Sequence, residues 1–531
     1  QILFLMYDVV LINSSAIPTT KVRGLGPHLL AEELRKHGYS VIVLDYIEHW
    51  NIYEFGRVVD AVIGPNTKLV GFSLTWTIIG SGAEKVVKHV YSNNFTNDVY
   101  LGDYITNGRL SWMTDRIKSR NSNVKIIVGG SKAPELEQRL GDLVDNVFCG
   151  YSETQFVDYL KAPETFPRVI NHDTKAHATH TCFDFAKSRA IFTPNTFLSP
   201  QEIMPIECSR GCRFKCKFCS FPLIGMKDVA GYTKTKQTFR DTLVYNYETF
   251  GIQKYSIQDD TFNDSIEKVR MFAEVVDSLP FNIYFWCYLR ADLVVKYPEQ
   301  IELLHQMGLV QTWFGIETFN RASGRAVGKG GDPDKIKEML YKAKEVWKGD
   351  VLIEQGYIVG LPYESVESIK HHAKWLLSDE SPVDQTTFVP LHIVPKELQD
   401  KYIISYTSEF DREYQKHGYS FPDGNNPDHQ KAMNWEKIDG SDITSFNQAK
   451  ALCVDLGKYT YHKKPLYPLK PSIFDTARDY KEFADFDKVR NMSPTDYKTM
   501  LGTLPTHGDT EQFIERLRES YIEPLIESIT K

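Results

Sequence analysis

The chain has 531 residues, 42% of them hydrophobic and 13% aromatic, and a formal net charge of −7. That is enough apolar material for two or three domains with substantial cores, and no run is long enough to span a bilayer. The acidic balance leaves no basic footprint for nucleic acid, and eight cysteines in this length are too few for a disulfide scaffold.

In chain order, residues 1 to about 160 alternate strand and helix. Short, partly β-branched apolar runs at 2–6, 41–44, 69–72 and 126–128 read as parallel strands, and VDNVFCG at 144–150 as the last. Helical segments start at Gly26, Ala83 and Leu110. The pattern predicts an α/β, doubly wound, Rossmann-like sheet whose ligand crevice lies at the carboxyl ends of its strands. Ser92 to Gly108, rich in Asn, Asp and Tyr, reads as an inserted loop or lid. The start QILFLMYDVVLI lacks a basic leader and a small-residue cleavage site, so a buried strand is expected there and no secretory signal. Gln1 in place of Met suggests numbering that omits an initiator or a short leader.

Residues 161–200 scatter Pro, His and Thr and read as a linker. Strand–helix repeats resume at 201, with strands expected at 203–207, 254–258, 282–288, 311–316, 351–359 and 385–391. Residues 395–531 read as a mainly helical region. Trp435, Tyr459 and Tyr461 are candidates to line a pocket there, although aromatics at helical spacing are more often core. HKKP at 462–465 reads as a solvated basic loop.

Chemistry concentrates in IECSRGCRFKCKFCSFP, which holds Cys208, Cys212, Cys216 and Cys219. The last three are spaced C-x3-C-x2-C. Three thiolates can hold a 4Fe–4S cluster by three irons and leave the fourth open, which turns an electron carrier into a reactive site. A structural zinc site uses two cysteine knuckles a dozen or more residues apart. Here the two pairs are only three residues apart, which crowds a tetrahedron. A closed cluster, with Cys208 on the fourth iron, is the other arrangement. Cys208 ends the strand-like run EIMPIEC and reads as a spare thiol beside the cluster.

With Phe218 before the last cysteine, this segment resembles the radical S-adenosylmethionine (radical SAM) enzymes. In that family SAM chelates the open iron, and one electron cleaves it to a 5′-deoxyadenosyl radical. The resemblance implies that 201–394 form an incomplete (β/α)6 barrel and 395–531 a substrate-capping region. Gln258, Asp259 and Asp260 stand where relatives carry a turn that receives the methionine amino group, and Asp264 reads as the cap of the next helix. Arg290 is the candidate for the SAM carboxylate, because a guanidinium forks onto a carboxylate. Glu317 resembles the ribose-contacting acid, with an ion pair to an arginine as its competing role. Gly356, Ile358 and Gly360 resemble the motif over the adenine, and Phe218 would give it a backbone contact. Tyr363 departs from that motif, where glycine is common. Glu364 after it also suits a helix start.

The runs GLGPHLLAEELRKHGYSVIVLDY, VGFSL, IIVGGSKAPEL and FCGYSE resemble the cobalamin-binding domain fused to many radical SAM enzymes. Ser73, Gly129 and Gly130 are the matching positions, with Gly150 and Glu153 as further candidates. The cobalt-ligating signature D-x-H-x-x-G is absent, as it is from many such enzymes, and a sheet that has lost cobalamin is the other reading. A methylthiotransferase would carry three cluster cysteines in its N-terminal domain, where this chain has only Cys149, with Cys182 in the linker. The resemblance therefore implies a cobalamin-dependent methyltransferase acting on an unactivated carbon or a phosphinate-like centre. It further implies a flavodoxin- or ferredoxin-type electron donor and a reducing cytoplasm. A cobalamin-dependent cyclisation or rearrangement uses the same parts, and a non-catalytic iron–sulfur carrier or regulatory binding protein is the alternative of another class.

Overall fold

The computed structural model describes residues 6–13, 22–47, 50–73, 109–130, 140–171, 183–198, 202–219, 231–395, 408–426, 434–438, 441–463 and 518–530. The helix expected from Ala83, the segment Ser92–Gly108 and the end of HKKP lie outside them.

Two six-stranded parallel sheets organise the chain. The first holds β1 (Val9–Asn13), β2 (Val41–Leu44), β3 (Leu69–Ser73), β4 (Lys125–Gly129), β5 (Asn146–Cys149) and β6 (Val169–Asn171), in the order β2-β1-β3-β4-β5-β6. Its strands are unbroken apolar runs because helices cover both faces. Val10 and Ile12 pack with α2 (Ile52–Val62) and α3 (Arg109–Arg120), while Val9 and Leu11 pack with α1 (Leu25–Lys36) and α4 (Glu153–Lys161). The order reverses between β1 and β3, the switch point of flavodoxin-like sheets.

Two expectations shift here. The first described strand is VVLIN, and residues 2–5 of the run expected at 2–6 lie outside the described residues; Asp8 sits just before VVLIN and accepts from the Ser40 backbone N–H and hydroxyl at the approach to β2. The 144–150 strand is not the last, since β6 forms an edge inside the expected linker.

The second sheet runs in strict sequence order through β7 (Met204–Ile206), β8 (Lys254–Ile257), β9 (Tyr284–Leu289), β10 (Leu309–Glu317), β11 (Leu352–Val359) and β12 (Gln385–Pro390). Helices α5 (Lys236–Phe250), α6 (Ile266–Asp277), α7 (Ala291–Lys296), α8 (Gln300–Gln306), α9 (Arg321–Ala326), α10 (Pro333–Val346) and α11 (Val366–Leu376) form its connections. Among the described residues β12 does not pair with β7, so the barrel is open. Side-chain oxygens start five of these seven helices, as Thr235, Ser265, Asn320, Asp332 and Ser365 accept backbone N–H groups of the first turn. The cap of α6 is thus Ser265, and the expected cap Asp264 instead pairs with Lys268 at 2.7 Å.

The C-terminal region divides. Helices α12 (Glu409–Glu413) and α13 (Phe446–Lys463) and the hairpin β13 (Tyr419–Ser420)–β14 (Glu436–Lys437) lie against the barrel. The last helix, α14 (Glu523–Thr530), returns to the first sheet, where Tyr521, Ile522, Leu525, Ile526 and Ile529 share a core with α2. That part does not cap the barrel as expected. Among the described residues no helix is long and apolar enough to cross a membrane.

Candidate active site at the mouth of the barrel

The cysteine loop leaves the carboxyl end of β7. Its first turn hangs on Asp259, whose Oδ1 accepts from the Cys208 and Ser209 backbone N–H groups at 2.7 and 2.9 Å. Its Oδ2 accepts from the Ser209 hydroxyl at 2.5 Å. Lys268 neutralises the arrangement, 3.5 Å from Asp259 and 2.7 Å from Asp264. Both oxygens of Asp259 are therefore committed inward. That corrects the expectation that it receives an amino group: it is an anchor for the loop.

The four thiols fall into two environments. Cys208 is fully buried in the barrel core, and burial together with the Asp259 carboxylate pushes its thiol well above the ordinary range. Cys212, Cys216 and Cys219 are half-buried and form no disulfide. Cys212 Sγ lies 3.4 Å from the Thr261 hydroxyl after β8, and Cys216 Sγ accepts from Arg290 Nη1 at 3.2 Å after β9. Lys217 N–H donates to the Val327 carbonyl just past α9, and Phe410 N–H of α12 donates to the Lys217 carbonyl. The loop is thus bracketed by strand ends and by the capping region. Among the described residues no three His, Cys, Asp or Glu side chains converge on a single metal ion. Thiols that each take a different corner of an iron–sulfur cube need no such convergence. Three half-exposed soft donors on one loop, with a cation beside one of them, fit such a cluster.

Arg290 reaches the loop, but its fork is occupied. Nε and Nη2 donate to Asp292 at 3.0 and 2.8 Å, and the guanidinium lies 3.9 Å from the Phe214 ring centroid. In this structure it positions Cys216 and offers no free fork to a carboxylate. Gln258 is exposed at the end of β8 and donates to the Ser256 hydroxyl. Asp260 is half-buried, and desolvation with the neighbouring Asp259 and Glu207 charges raises it to about 7.

Glu317 ends β10 with φ +69° and pairs with Lys329 at 3.4 Å, so the expected arginine partner is a lysine. Gly356 lies beneath it: a Cβ there would stand 3.5 Å from Glu317 Oε2. Ile358 is buried, and Phe218 packs at the margin of the barrel core. Gly360 has φ +101°, and a Cβ on it would stand 2.8 Å from the Trp435 ring. Trp435 is fully buried and donates to the Leu391 carbonyl, so it is core and not pocket lining. The side chains of Tyr459 and Tyr461 lie outside the described residues. Tyr363 takes φ +64°, the conformation a glycine would hold, and keeps the turn. Glu364 does not start α11, whose cap is Ser365. It is buried and accepts from the Thr318 and Tyr357 hydroxyls at 2.5 and 2.7 Å, tying the β10 and β11 turns together.

The carboxyl edge of the first sheet runs along β7. At its β1–β2 end, Arg23 bridges Asp45 (2.8 Å) and Glu202 (2.8 Å), the residue two before β7. Asp45 also takes the Asn13 amide and His28, whose ring stacks 3.9 Å from Phe192. Beyond β5, Arg210 of the cysteine loop pairs with Glu153 at 2.6 Å and Glu207 at 2.7 Å and lies 4.0 Å from the Tyr151 ring centroid. Ser73, Gly129 and Gly130 end the strands between these two contacts, with Ser73 opposite both Asn13 and Gly129. Gly130 has φ +124°, which a side chain would resist. Arg23, His28, Arg210 and Lys268 escape a reading of the sequence because no local pattern marks them: Arg23 lies 179 residues from Glu202 and Arg210 lies 57 from Glu153.

Residues 206–376 match the radical SAM superfamily. An uncharacterized methyltransferase of Pyrococcus horikoshii is 23% identical over 277 residues, which cover 49% of this chain and 59% of that protein. The match therefore spans less than two thirds of that relative's length. Among solved structures, TsrM from Kitasatospora setae, a radical SAM methyltransferase with cobalamin and a 4Fe–4S cluster bound, superposes with a TM-score of 0.59. It is 13% identical, with 97% of this chain and 100% of that one covered. OxsB, a cobalamin-dependent SAM radical enzyme with aqua-cobalamin and SAM bound, gives 0.55 at 13% identity, covering 99% and 83%. The barrel and its cysteine loop thus carry the match to the radical SAM superfamily, which spans about a third of the chain. The chain's whole fold, first sheet included, is shared with TsrM and OxsB.

Proposed function

We propose that this enzyme is a cobalamin-dependent radical SAM methyltransferase acting on an unactivated carbon or a phosphinate-like centre. The observation that carries the reading is the cysteine loop itself: three half-buried thiols in no disulfide at the barrel mouth, tied through Arg210 and Glu153 to the carboxyl edge of a flavodoxin-ordered sheet. Bound cofactors would supply the electron that cleaves SAM and the methyl group that is transferred. Cys212, Cys216 and Cys219 are the residues to hold the cluster. Asp259 and Lys268 hold the start of the loop, and Arg290 holds Cys216. Gln258 and Asp260 are assigned to the SAM amino group, Glu317 with Lys329 to the ribose, and Ile358 with Phe218 to the adenine. Ser73, Gly129 and Gly130 are assigned to cobalamin, held close to the barrel so that both reactive groups meet one substrate atom. Helices α12 and α13 and the β13–β14 hairpin cover the barrel, and a flavodoxin- or ferredoxin-type protein in the cytoplasm supplies the electron.

The test is mass spectrometry of the SAM products after anaerobic cluster reconstitution, with reductant, SAM and hydroxocobalamin. Deoxyadenosine together with cobalamin-dependent S-adenosylhomocysteine is the expected result. Deoxyadenosine alone moves the reading to a non-methylating reaction, and the absence of both overturns it. In the same assay Cys216→Ala abolishes SAM cleavage while Cys208→Ala keeps most of it, and equal loss would show the ligands misassigned.

A further inference from the structure

Strands show alternate side chains to opposite faces. On β9, Phe285, Cys287 and Leu289 belong to the core beneath the helices, which turns Trp286 and Tyr288 to the lumen. On β10, Phe314 and Ile316 pack outward and Gln311 and Trp313 inward, and on β11 Ile353 and Tyr357 pack outward and Glu354 and Gly356 inward. Strand register sets Trp286 beside Gln311, and Trp313 between Tyr288 and Glu354.

These side chains touch. The Trp286 and Tyr288 rings are 4.5 Å apart at 71°, edge to face. The Trp313 indole lies across Gly356, where a Cβ would meet its Cζ2 at 3.3 Å. Glu354 is 5% exposed, and the Gln311 and Trp286 side chains beside its carboxyl favour the charged form. Tyr288 is 41% exposed, yet burial pushes its phenol up to about 12. A ring that solvent reaches while protein surrounds its hydroxyl lines a recess.

We propose that Glu354, Trp286, Tyr288 and Trp313 form a subsite inside the barrel for a flat part of the substrate that carries a protonated nitrogen. Aromatic faces attract both flat rings and cations, and a carboxylate among them makes the charge-assisted hydrogen bond that selects nitrogen. A buried carboxyl without such a partner is costly as an anion. Desolvation holds Glu354 near 7, Gln311 and Trp286 stabilise its anion, and the Asp384 charge adds to the rise. Asp384 is itself paired with Lys344. Among the described residues the other charged groups around the lumen are Asp260 beyond Tyr288 and the Glu317–Lys329 pair at the far end of β10.

The inference deepens the radical SAM reading by naming a substrate class, but its test needs no turnover. The full chain with its cluster rebuilt is titrated calorimetrically with tryptamine, indole-3-propionate and cyclohexylmethylamine at pH 6 and pH 8. Tryptamine is expected to bind at least tenfold tighter than the anion with the same ring or the cation without one. Its affinity should rise about tenfold from pH 6 to pH 8, because a carboxyl titrating near 7 gains its charge over that range. Glu354→Gln, a near-isosteric change, should abolish the pH dependence, and Trp313→Leu should weaken tryptamine about tenfold while leaving that dependence in place. Equal binding of the three probes, no binding, or an unchanged pH dependence in Glu354→Gln overturns the subsite. Loss of SAM cleavage with tryptamine binding intact would count against the radical reading alone.

Discussion

Gly360 shows how a single atom can be excluded twice. Its φ of +101° disfavours any side chain, and the Trp435 ring fills the space where one would go. Gly360→Ala should therefore cost about 2–5 kcal/mol, the sum of a left-handed penalty and overpacking, read as a lowered thermal midpoint. Glu364 carries a pH signature. Burial raises it from 4.5 to about 7, so the folded state keeps a proton that the unfolded chain has lost. Stability then falls as pH rises from about 4.5 to 7, by roughly 3 kcal/mol in all. Glu364→Gln should remove that contribution, so its thermal midpoint should gain on the wild type across this range. A constant gap between the two would contradict the assignment.

At the scale of elements, the sequence reveals what chain-local physics writes. Unbroken apolar runs locate ten of the twelve strands of the two sheets closely, because parallel strands must be buried on both faces. β1 begins only after Asp8, an aspartate that looks like an interruption in sequence and marks its start. β6 is missed because three residues after Pro167 carry no periodicity. The cysteines are legible for the same local reason, as their chemistry depends on spacing. Asp259 is not: its acidic run resembles a ligand site, and only the fold turns it inward to the loop. The Arg210–Glu153 contact is equally silent in sequence and joins two elements that must move together. Arg210→Ala should leave Glu153 and Glu207 as unpaired buried carboxyls and cost about 3–5 kcal/mol. Hydrogen exchange should then rise in the cysteine loop and at the start of α4 in concert. Exchange that rises in one of them only would show the contact to be incidental.

Across the whole molecule, the two sheets are joined by charge as well as by chain. Arg23 is held between Asp45 and Glu202, and the Tyr46 and Tyr521 rings lie within 5.1 and 4.6 Å of its guanidinium. The Tyr521 hydroxyl also accepts the Asp45 backbone N–H. Tyr521→Phe should leave that buried N–H unpaired at a cost of about 1–3 kcal/mol. Exchange protection should fall at β1 and β2 and stay unchanged across β8–β11. A uniform loss would mean that both sheets unfold as one unit.

The same tyrosine sets an order of events during synthesis. Asp45 and Tyr521 are 476 residues apart, so at about 5–20 residues per second the first sheet waits roughly 25–95 s for its last helix. During that wait the face that α14 will cover, Phe55, Val58 and Trp50 among it, is left open in the cell. That open apolar face is the kind of surface a ribosome-associated chaperone would shield until α14 arrives.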